Sequence, residues 1–472
     1  MVRRTLAASR PASPEEPVIS ALTTDPDARE APGQESRGSR AGHLARRVVD
    51  GAVRRVVVPG TSNERLALEA ATPWWRRVEV WFPLAVFVAT RIVIALVVIV
   101  AQRSQLALPA SNGVLRVLFP TEAAPGYWTV MGNWDGQWYQ EIATHGYPGT
   151  LPRLPDGSID MNPWAFFPLY PFAVGAVMRL TGLGFPVAGG LLSMVFGAAA
   201  MVLLFRLVDR VVGRWEAVVA VVGVCTFISA PILQMTYTES LALLLVLVTL
   251  TLVRARRYWW VATVLVLLAL SRNVAATMVP VVVAHLVVRW QQEPDLPRRT
   301  RLGLISLAVL AGALTALWPA IIALATGIPN AYTQTLVAWR VSSDIQLQYW
   351  WSYLLLAYGW VGAAAGVAAV AVFTWFMMTR RTWRWGPEIW AWAGAYPAYQ
   401  LLVTNPGSSR LRYAILAFPF TLLIAWFLGL PWWRRWRLLL LCGVAVLGIA
   451  QQAWYVENFV LVTHLDMPIF FP

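Results

Sequence analysis

The sequence predicts an all-α polytopic membrane protein. Hydrophobic residues make up 58% of the 472-residue chain and charged residues 13%, and the mean hydropathy is +0.57. This much apolar surface does not suit a water-soluble globule, and several apolar runs approach the roughly 20 residues that cross a bilayer. The net charge of +14 comes from arginine, since the chain has no lysine. Because the arginines lie in short runs between apolar segments, they favour a role in membrane orientation over nucleic-acid binding.

Residues 1–80 differ in composition from the rest of the chain. They are rich in Arg, Pro, Ser, Gly and Glu and show little apolar periodicity, as in "RPASPEEPVIS" and "REAPGQESRGSRAG". Such a segment buries too little apolar surface to offset the entropy that folding costs. We therefore expect a disordered basic N-terminal region on the cytoplasmic side, followed by a multispan domain over residues 81–472.

The arginine runs predict how the apolar segments thread through the membrane, because cytoplasmic loops carry an excess of basic residues. If "WAFFPLYPFAVGAVMRL" lies in the outer interface and does not cross, then "RLVDRVVGR", "RARR", "RRTR", "RRTWRW" and "RRWR" all fall on the cytoplasmic side. This threading predicts about eleven transmembrane helices and an outer loop over residues 102–185. The predicted spans lie near 81–101, 186–205, 216–234, 238–253, 258–273, 274–290, 302–325, 350–378, 388–404, 412–430 and 438–454.

The outer loop contains the stretch "GNWDGQWYQEIATHGYP", which places one carboxylate between two tryptophans. On an amphipathic helix, Asp135, Trp138 and Tyr139 share one face. Asp135 could simply cap this helix, with Gly146 ending it and the tryptophans forming an interfacial belt. It could equally be a catalytic carboxylate that the helix start holds in place. Periodicity leaves both interpretations open.

Further charges lie inside or at the ends of the predicted spans, where a charge near the bilayer centre costs roughly 2.5–3.5 kcal/mol. Glu239 could be a first-turn acid favoured by the helix dipole, and Arg272 could snorkel to the interface. Arg410 and Arg412 could anchor the end of a span. Several arginines at one membrane face also suit a phosphate group. Arg91 lies nearer the middle of the first span, and the sequence does not identify its partner.

The sequence gives no sign of a metal site or a disulfide framework. Cys225 and Cys442 both lie within apolar segments, where cysteine behaves as a small hydrophobe. His145, His285 and His464 lack the spacing of a metal-binding triad. We therefore expect a protein without a metal or cofactor.

Five motifs carry a family resemblance. In chain order they are "NWDGQWYQEIATHGY", "WAFFPLYP", "YTESL", "LSRNVA" and "SRLRYAILAFP". Their order and style resemble the PIG-V family of glycosyltransferases, which includes the second mannosyltransferase of GPI-anchor assembly, and its bacterial relatives. The similarity covers about residues 81–430. It implies a GT-C fold, a multispan bundle whose first outer loop carries amphipathic helices and a catalytic carboxylate.

The resemblance also implies an activity. Such enzymes move a sugar, typically mannose, from a polyprenyl-phosphate donor to an acceptor hydroxyl on the extracytoplasmic side of the membrane. The family's Trp-Asp pair falls on Trp134 and Asp135, which makes Asp135 the expected general base. Inversion of a β-linked donor to an α-mannoside is expected by the same resemblance. Because the chain looks bacterial and bacteria build no GPI anchor, a lipid or glycan acceptor in the plasma membrane is expected without further identity.

Residue types then assign roles within that activity. Arg272 and Arg412, with Arg410 in reserve, are expected to stabilise the departing phosphate. Substrate binding is expected from the aromatic residues Trp134, Trp138 and Tyr139, which would stack on the sugar or line a lipid groove. Glu239 is expected to hold acceptor hydroxyls. The alternative is a polytopic transporter or lipid flippase, which would require polar residues along a midplane path and paired repeats. The unusual polar residues instead collect on one predicted face.

Overall fold

The computed structural model describes residues 77–110, 116–339, 346–404 and 406–464. The region expected to be disordered, residues 1–80, therefore lies outside the described residues except for its last four positions. The α-helices of the described part are α1 (Val78–Ala101), α2 (Tyr127–Met131), α3 (Asp135–His145), α4 (Leu169–Thr181), α5 (Phe185–Val211), α6 (Arg214–Cys225), α7 (Glu239–Arg254), α8 (Tyr258–Ser271), α9 (Met278–Gln292), α10 (Arg298–Ala313), α11 (Leu317–Thr326), α12 (Ala331–Ala338), α13 (Leu347–Met377), α14 (Arg380–Trp383), α15 (Gly386–Val403), α16 (Arg410–Tyr413), α17 (Thr421–Leu428) and α18 (Arg437–Tyr455). Within these ranges no strand forms beyond two isolated β-bridges, so the all-α prediction is confirmed there.

The protein is a multi-pass helical membrane protein by the length and apolar character of its helices. Five described stretches are long and apolar enough to cross a bilayer: Val78–Ser104, Phe185–Val211, Arg298–Thr326, Leu347–Met377 and Arg437–Val460. A sixth is possible if Arg410–Leu416 and Phe418–Leu428, bent by 77° at their junction, count as one broken span.

The predicted number of about eleven spans is not confirmed. The apolar region over residues 216–290 is divided into helices of 12, 16, 14 and 15 residues, namely α6, α7, α8 and α9. Each is shorter than the roughly 20 residues that a perpendicular span requires. Apolar composition continues across the helix ends in this region, so hydropathy alone overestimates the length of the helices.

The stretch "WAFFPLYPFAVGAVMRL" was expected not to cross the membrane, and its helix is short. A 3-10 turn at Pro163–Ala165 is followed by α4, which has only 13 residues. The helix packs between α3 and α5. Gly175 permits the close approach to α3, because a Cβ there would lie 3.1 Å from the Ala143 carbonyl oxygen.

The centre of the bundle is α5, which packs against α1, α6 and α7. Its Gly197 accommodates the Phe87 ring of α1, since an added Cβ would approach that ring to 2.7 Å. The main hydrophobic core continues from these helices through α8 and α9 to α15. This packing places the first turn of α7, with Glu239, beside the start of α3, with Asp135.

Candidate active site

The turn before Asp135 is held by the segment that precedes α7. The Tyr237 hydroxyl donates a hydrogen bond to the Asn133 carbonyl oxygen at 3.1 Å and accepts one from the Asp135 amide at 3.3 Å. The Thr236 amide donates to the Met131 carbonyl oxygen at 3.0 Å. These bonds fix the position at which α3 begins.

Glycine is required directly after Asp135 because two segments meet there. A Cβ at Gly136 would lie 2.5 Å from the Thr236 hydroxyl oxygen, which is too close for any real side chain. The Gly in "WDGQ" therefore permits α3 to pack against the segment leading into α7.

Asp135 is the first residue of α3 and not its cap, so the capping interpretation is wrong. The N-cap residue is Trp134, with φ +61°, and no side chain caps the helix. A positive φ is unusual for a bulky residue and costs about 1–3 kcal/mol. The Trp134 indole nitrogen donates to the Val460 carbonyl oxygen at 3.0 Å, which helps to hold this conformation. The other end agrees with expectation, since Gly146 ends the helix with φ +79°.

Four charged side chains from distant parts of the sequence meet beside this turn. Arg412 Nη1 lies 2.6 Å from Asp135 Oδ2, and Arg412 Nε lies 3.3 Å from Glu239 Oε1, a contact without hydrogen-bond geometry. Arg272 Nη1 donates to Glu239 Oε1 at 2.7 Å. We call these four residues the charge cluster. Two guanidinium groups and two carboxylates balance one another within it.

The members of the charge cluster differ in accessibility. Their side chains are 25% exposed at Asp135, 16% at Arg272, 9% at Arg412 and 2% at Glu239. Glu239 is therefore the buried counter-ion that joins the two arginines. Asp135 is the carboxylate that an incoming molecule can reach.

Tyrosine rings enclose the two guanidinium groups. Arg272 lies over the Tyr413 ring at 4.3 Å, and Arg412 lies 5.0 Å from that ring and 5.1 Å from the Tyr237 ring. Arginine stacks well on aromatic faces because its guanidinium is planar and weakly hydrated. The rings thus orient both cations, while Arg272 Nη1 contacts Glu239 and Arg412 Nη1 contacts Asp135.

Breaks between helices bring the arginines to this place. Arg272 directly follows α8, in an extended conformation, and Arg412 lies in the short helix α16. The backbone of α16 is anchored by the Ser229 hydroxyl, which donates to the Leu411 carbonyl oxygen at 2.6 Å, and by the Tyr396 hydroxyl, which donates to the Tyr413 carbonyl oxygen at 2.8 Å. Irregular backbone beside the cluster is therefore bound to neighbouring helices.

Arg410 does not join the charge cluster. Its Nη1 donates to the Thr404 hydroxyl and to the Gln400 carbonyl oxygen, and its guanidinium lies 4.8 Å from the Trp350 ring. These contacts direct it toward the end of α15. The structure therefore gives no support to its expected role beside Arg412.

Trp138 and Tyr139 are buried, which departs from their expected contact with sugar or lipid. Trp138 stacks on Phe166 and meets Trp339 edge to face, and Tyr139 packs against Tyr170. Both side chains are enclosed by these rings and present little surface to a ligand. The half-buried aromatic residues of the motif are Trp134 and Tyr147.

Tyr139 can be excluded as a base. Burial, and after it the nearby charge of Asp135, raise the pKa of the Tyr139 hydroxyl well above its usual value. The hydroxyl therefore stays protonated at neutral pH. Of the two groups, only Asp135 offers an ionisable oxygen for proton transfer.

Sequence reasoning missed three tyrosines near the cluster. Tyr237 and Tyr413 lie within the motifs "YTESL" and "SRLRYAILAFP", so these motifs could have indicated that both tyrosines lie near the site. Tyr455 lies at the end of α18, where no motif marks it. Its buried hydroxyl has no hydrogen-bond partner among the described residues, and Arg412 is its strongest electrostatic neighbour.

Comparison with known proteins identifies no family for this chain: no protein-family model matches it, and no curated protein is significantly similar to it.

Proposed function

We propose that this protein is a membrane glycosyltransferase that moves a hexose from a polyprenyl-phosphate sugar to an acceptor hydroxyl on the extracytoplasmic side. The observation that supports this most is the pairing of an accessible carboxylate, Asp135, with a buried guanidinium, Arg412. The first can take a proton and the second can stabilise a phosphate. Mannose as the sugar follows from the resemblance to the PIG-V family.

The proposed reaction is a single displacement. The acceptor oxygen forms a bond to the anomeric carbon while its proton passes to Asp135. The bond between the anomeric carbon and the phosphate oxygen breaks on the opposite face, and the electron pair leaves with the polyprenyl phosphate. Inversion follows, so a β-linked donor yields an α-linked product. Arg412 and Arg272 stabilise the negative charge that develops on the phosphate.

The ion pair between Asp135 and Arg412 gives donor binding a second effect. Without substrate, Arg412 forms an ion pair with the carboxylate that has to act as the base. A donor phosphate competes for the same guanidinium and releases Asp135 for the acceptor hydroxyl. Glu239 keeps both arginines in place during this exchange, because it contacts each of them.

The decisive experiment uses the full-length protein in liposomes with radiolabelled polyprenyl-phosphomannose and acceptor lipids extracted from a strain that lacks the gene. Asp135→Asn is expected to reduce transfer about 10²–10⁴-fold, the usual contribution of a general base. Asp156→Asn is the matched control, since Asp156 lies in an exposed turn where it accepts a hydrogen bond from Ser158.

Full transfer by Asp135→Asn would contradict the assignment of the base. Movement of the sugar lipid across the bilayer by the wild-type protein, without transfer of the sugar, would favour the transporter alternative.

Independence from a metal stays a prediction. Transfer by the wild-type protein is expected to be unchanged after treatment with EDTA, because phosphate is a good leaving group and Arg412 and Arg272 already supply positive charge. The transfer rate is measured before and after dialysis against the chelator. Loss of activity that Mg²⁺ or Mn²⁺ restores would add a metal to the reaction.

A further inference from the structure

An apolar groove lies remote from the charge cluster. It has a volume of about 750 Å³ and lies between α13, α17 and α18. Its walls include Phe373, Phe376, Trp426, Phe427, Trp433 and Leu440. This volume lies within the range of cavities that hold a small organic ligand, so a hydrocarbon chain fits.

The helix α15 locates the groove relative to the charge cluster. Near its Gly386 end, the Trp390 indole nitrogen donates to the Met377 carbonyl oxygen at 2.8 Å, next to the groove residue Phe376. Near its Val403 end, Arg410 contacts the Gln400 carbonyl oxygen. The groove and the cluster therefore lie toward opposite ends of α15, so the groove is separate from the proposed active site.

Two arginines that pair with no described carboxylate lie near one end of the groove. Arg381 lies 4.8 Å from the ring of Trp426, a groove residue, and Arg434 directly follows Trp433. Both arginines are exposed, and neither forms an ion pair with a described carboxylate. The acidic residue nearest to Arg381 in the sequence, Glu388, already contacts Arg254 and His285, and segment 429–437 contains no acidic residue. This end of the groove therefore carries positive charge that the neighbouring sequence does not balance.

A polar donor at the same end also lacks a partner. The indole nitrogen of Trp433 is buried but donates no hydrogen bond to any described residue. Buried donors in native proteins are nearly always satisfied, so an unpaired one calls for an acceptor. A phosphate or ester oxygen of a lipid at the groove end supplies such an acceptor.

We propose that this groove binds one anionic phospholipid. An acyl chain occupies the space between the apolar walls of the groove. The phosphate lies at Arg381 and Arg434, and the Trp433 indole donates to a phosphate or ester oxygen. Charge complementarity selects the occupant, because a zwitterionic lipid offers the same chain but no net negative charge to the two arginines. This site does not depend on the proposed transferase activity.

The test is native mass spectrometry of the delipidated full-length protein after incubation with an equal mixture of phosphatidylglycerol and phosphatidylcholine. The wild-type protein is expected to retain one phosphatidylglycerol in at least fivefold preference. The double variant Arg381→Gln, Arg434→Gln is expected to lose this preference. The matched control is Arg298→Gln, Arg299→Gln, which removes two exposed arginines at the start of α10, and it should bind as the wild-type protein does.

A second variant tests the chain separately from the headgroup. Ala369→Trp fills part of the groove without changing charge, and it is expected to reduce the retained phospholipid several-fold. Equal retention of both lipids by the wild-type protein would overturn the proposal, as would full retention by Ala369→Trp. In a last measurement, polyprenyl phosphate is added to the protein with bound phosphatidylglycerol. Displacement of phosphatidylglycerol by an equal amount of polyprenyl phosphate would make the groove a carrier-lipid site and overturn the assignment.

Discussion

Two buried arginines in apolar surroundings, Arg91 and Arg412, have opposite kinds of partner. Arg91 is 3% exposed within α1, and its guanidinium donates to the carbonyl oxygens of Ala230 and Cys225 and to the Gln452 side chain. Arg412 instead contacts two carboxylates. Burial and residue type are the same, so the partner distinguishes a structural arginine from a candidate functional one.

The partners of Arg91 explain why it is needed. The carbonyl groups at the end of α6 have no intrahelical donor, and a bilayer provides no water to replace one. Arg91 satisfies Cys225 and Ala230 at this break and reaches no carboxylate. Arg412 leaves its partner Asp135 accessible, so its contact can be exchanged for a ligand.

The largest expected effects separate stability from chemistry. Asp135→Asn should lose transfer about 10²–10⁴-fold but keep its unfolding temperature, because the amide oxygen can still accept from Arg412. Arg91→Met should keep the transfer rate per folded molecule but lose about 1–3 kcal/mol for each carbonyl left without a donor. Both variants are measured by thermal unfolding in detergent and by the transfer assay.

The reverse outcome would remove the distinction between the two arginines. If Arg91→Met lost transfer at an unchanged unfolding temperature, then Arg91 would belong to the site, and the type of partner would no longer separate the two roles.

A smaller effect is expected from the tyrosine hydroxyls. Tyr455→Phe removes a hydroxyl that has no hydrogen-bond partner in the described part of the chain, so the protein should be at least as stable as wild type. Because that hydroxyl is buried and out of reach of a donor phosphate, a normal transfer rate is also expected. Tyr237→Phe removes the bonds to Asn133 and Asp135 and should lower both the unfolding temperature and the transfer rate.

Unfolding temperature and donor KM are measured for both tyrosine variants. A less stable Tyr455→Phe with normal transfer would show that its hydroxyl acts in the fold and not toward the substrate.

The smallest effect is expected at Arg410. Arg410→Gln should reduce transfer less than about threefold, whereas Arg412→Gln should reduce it at least tenfold, since only Arg412 contacts Asp135. Initial rates at saturating donor measure both. Equal losses in the two variants would mean that contact with the carboxylates does not define the site.

The sequence predicted the members of the charge cluster better than their arrangement. Glu239, Arg272 and Arg412 were identifiable because a charge in or beside an apolar segment is costly, and Asp135 because it lies between two tryptophans in the outer loop. Their contacts were not, since they depend on helix breaks far apart in the chain. Arg91 shows the limit most clearly. Its partners are mainly backbone carbonyls, which every residue has, so no pattern of side chains could identify them.

The pattern of apolar residues also could not predict the number of helices that cross the membrane. Helix ends such as those at Cys225 and Ser271 fall within continuous apolar sequence, where no charge marks the boundary. The sequence also could not predict that the Tyr455 hydroxyl is buried without a hydrogen-bond partner among the described residues, because this depends on the three-dimensional packing.

The Val460 carbonyl oxygen has a consequence for biosynthesis. It accepts hydrogen bonds from the Asn133 side-chain nitrogen Nδ2 and the Trp134 indole nitrogen, both at 3.0 Å, and so connects the turn before Asp135 to the segment after α18. Asn133 and Val460 are 327 positions apart, so a ribosome makes that segment long after residue 135 has emerged. The turn before Asp135 therefore gains these two hydrogen bonds only after α18 has been made, whereas its bonds to Tyr237 can form earlier.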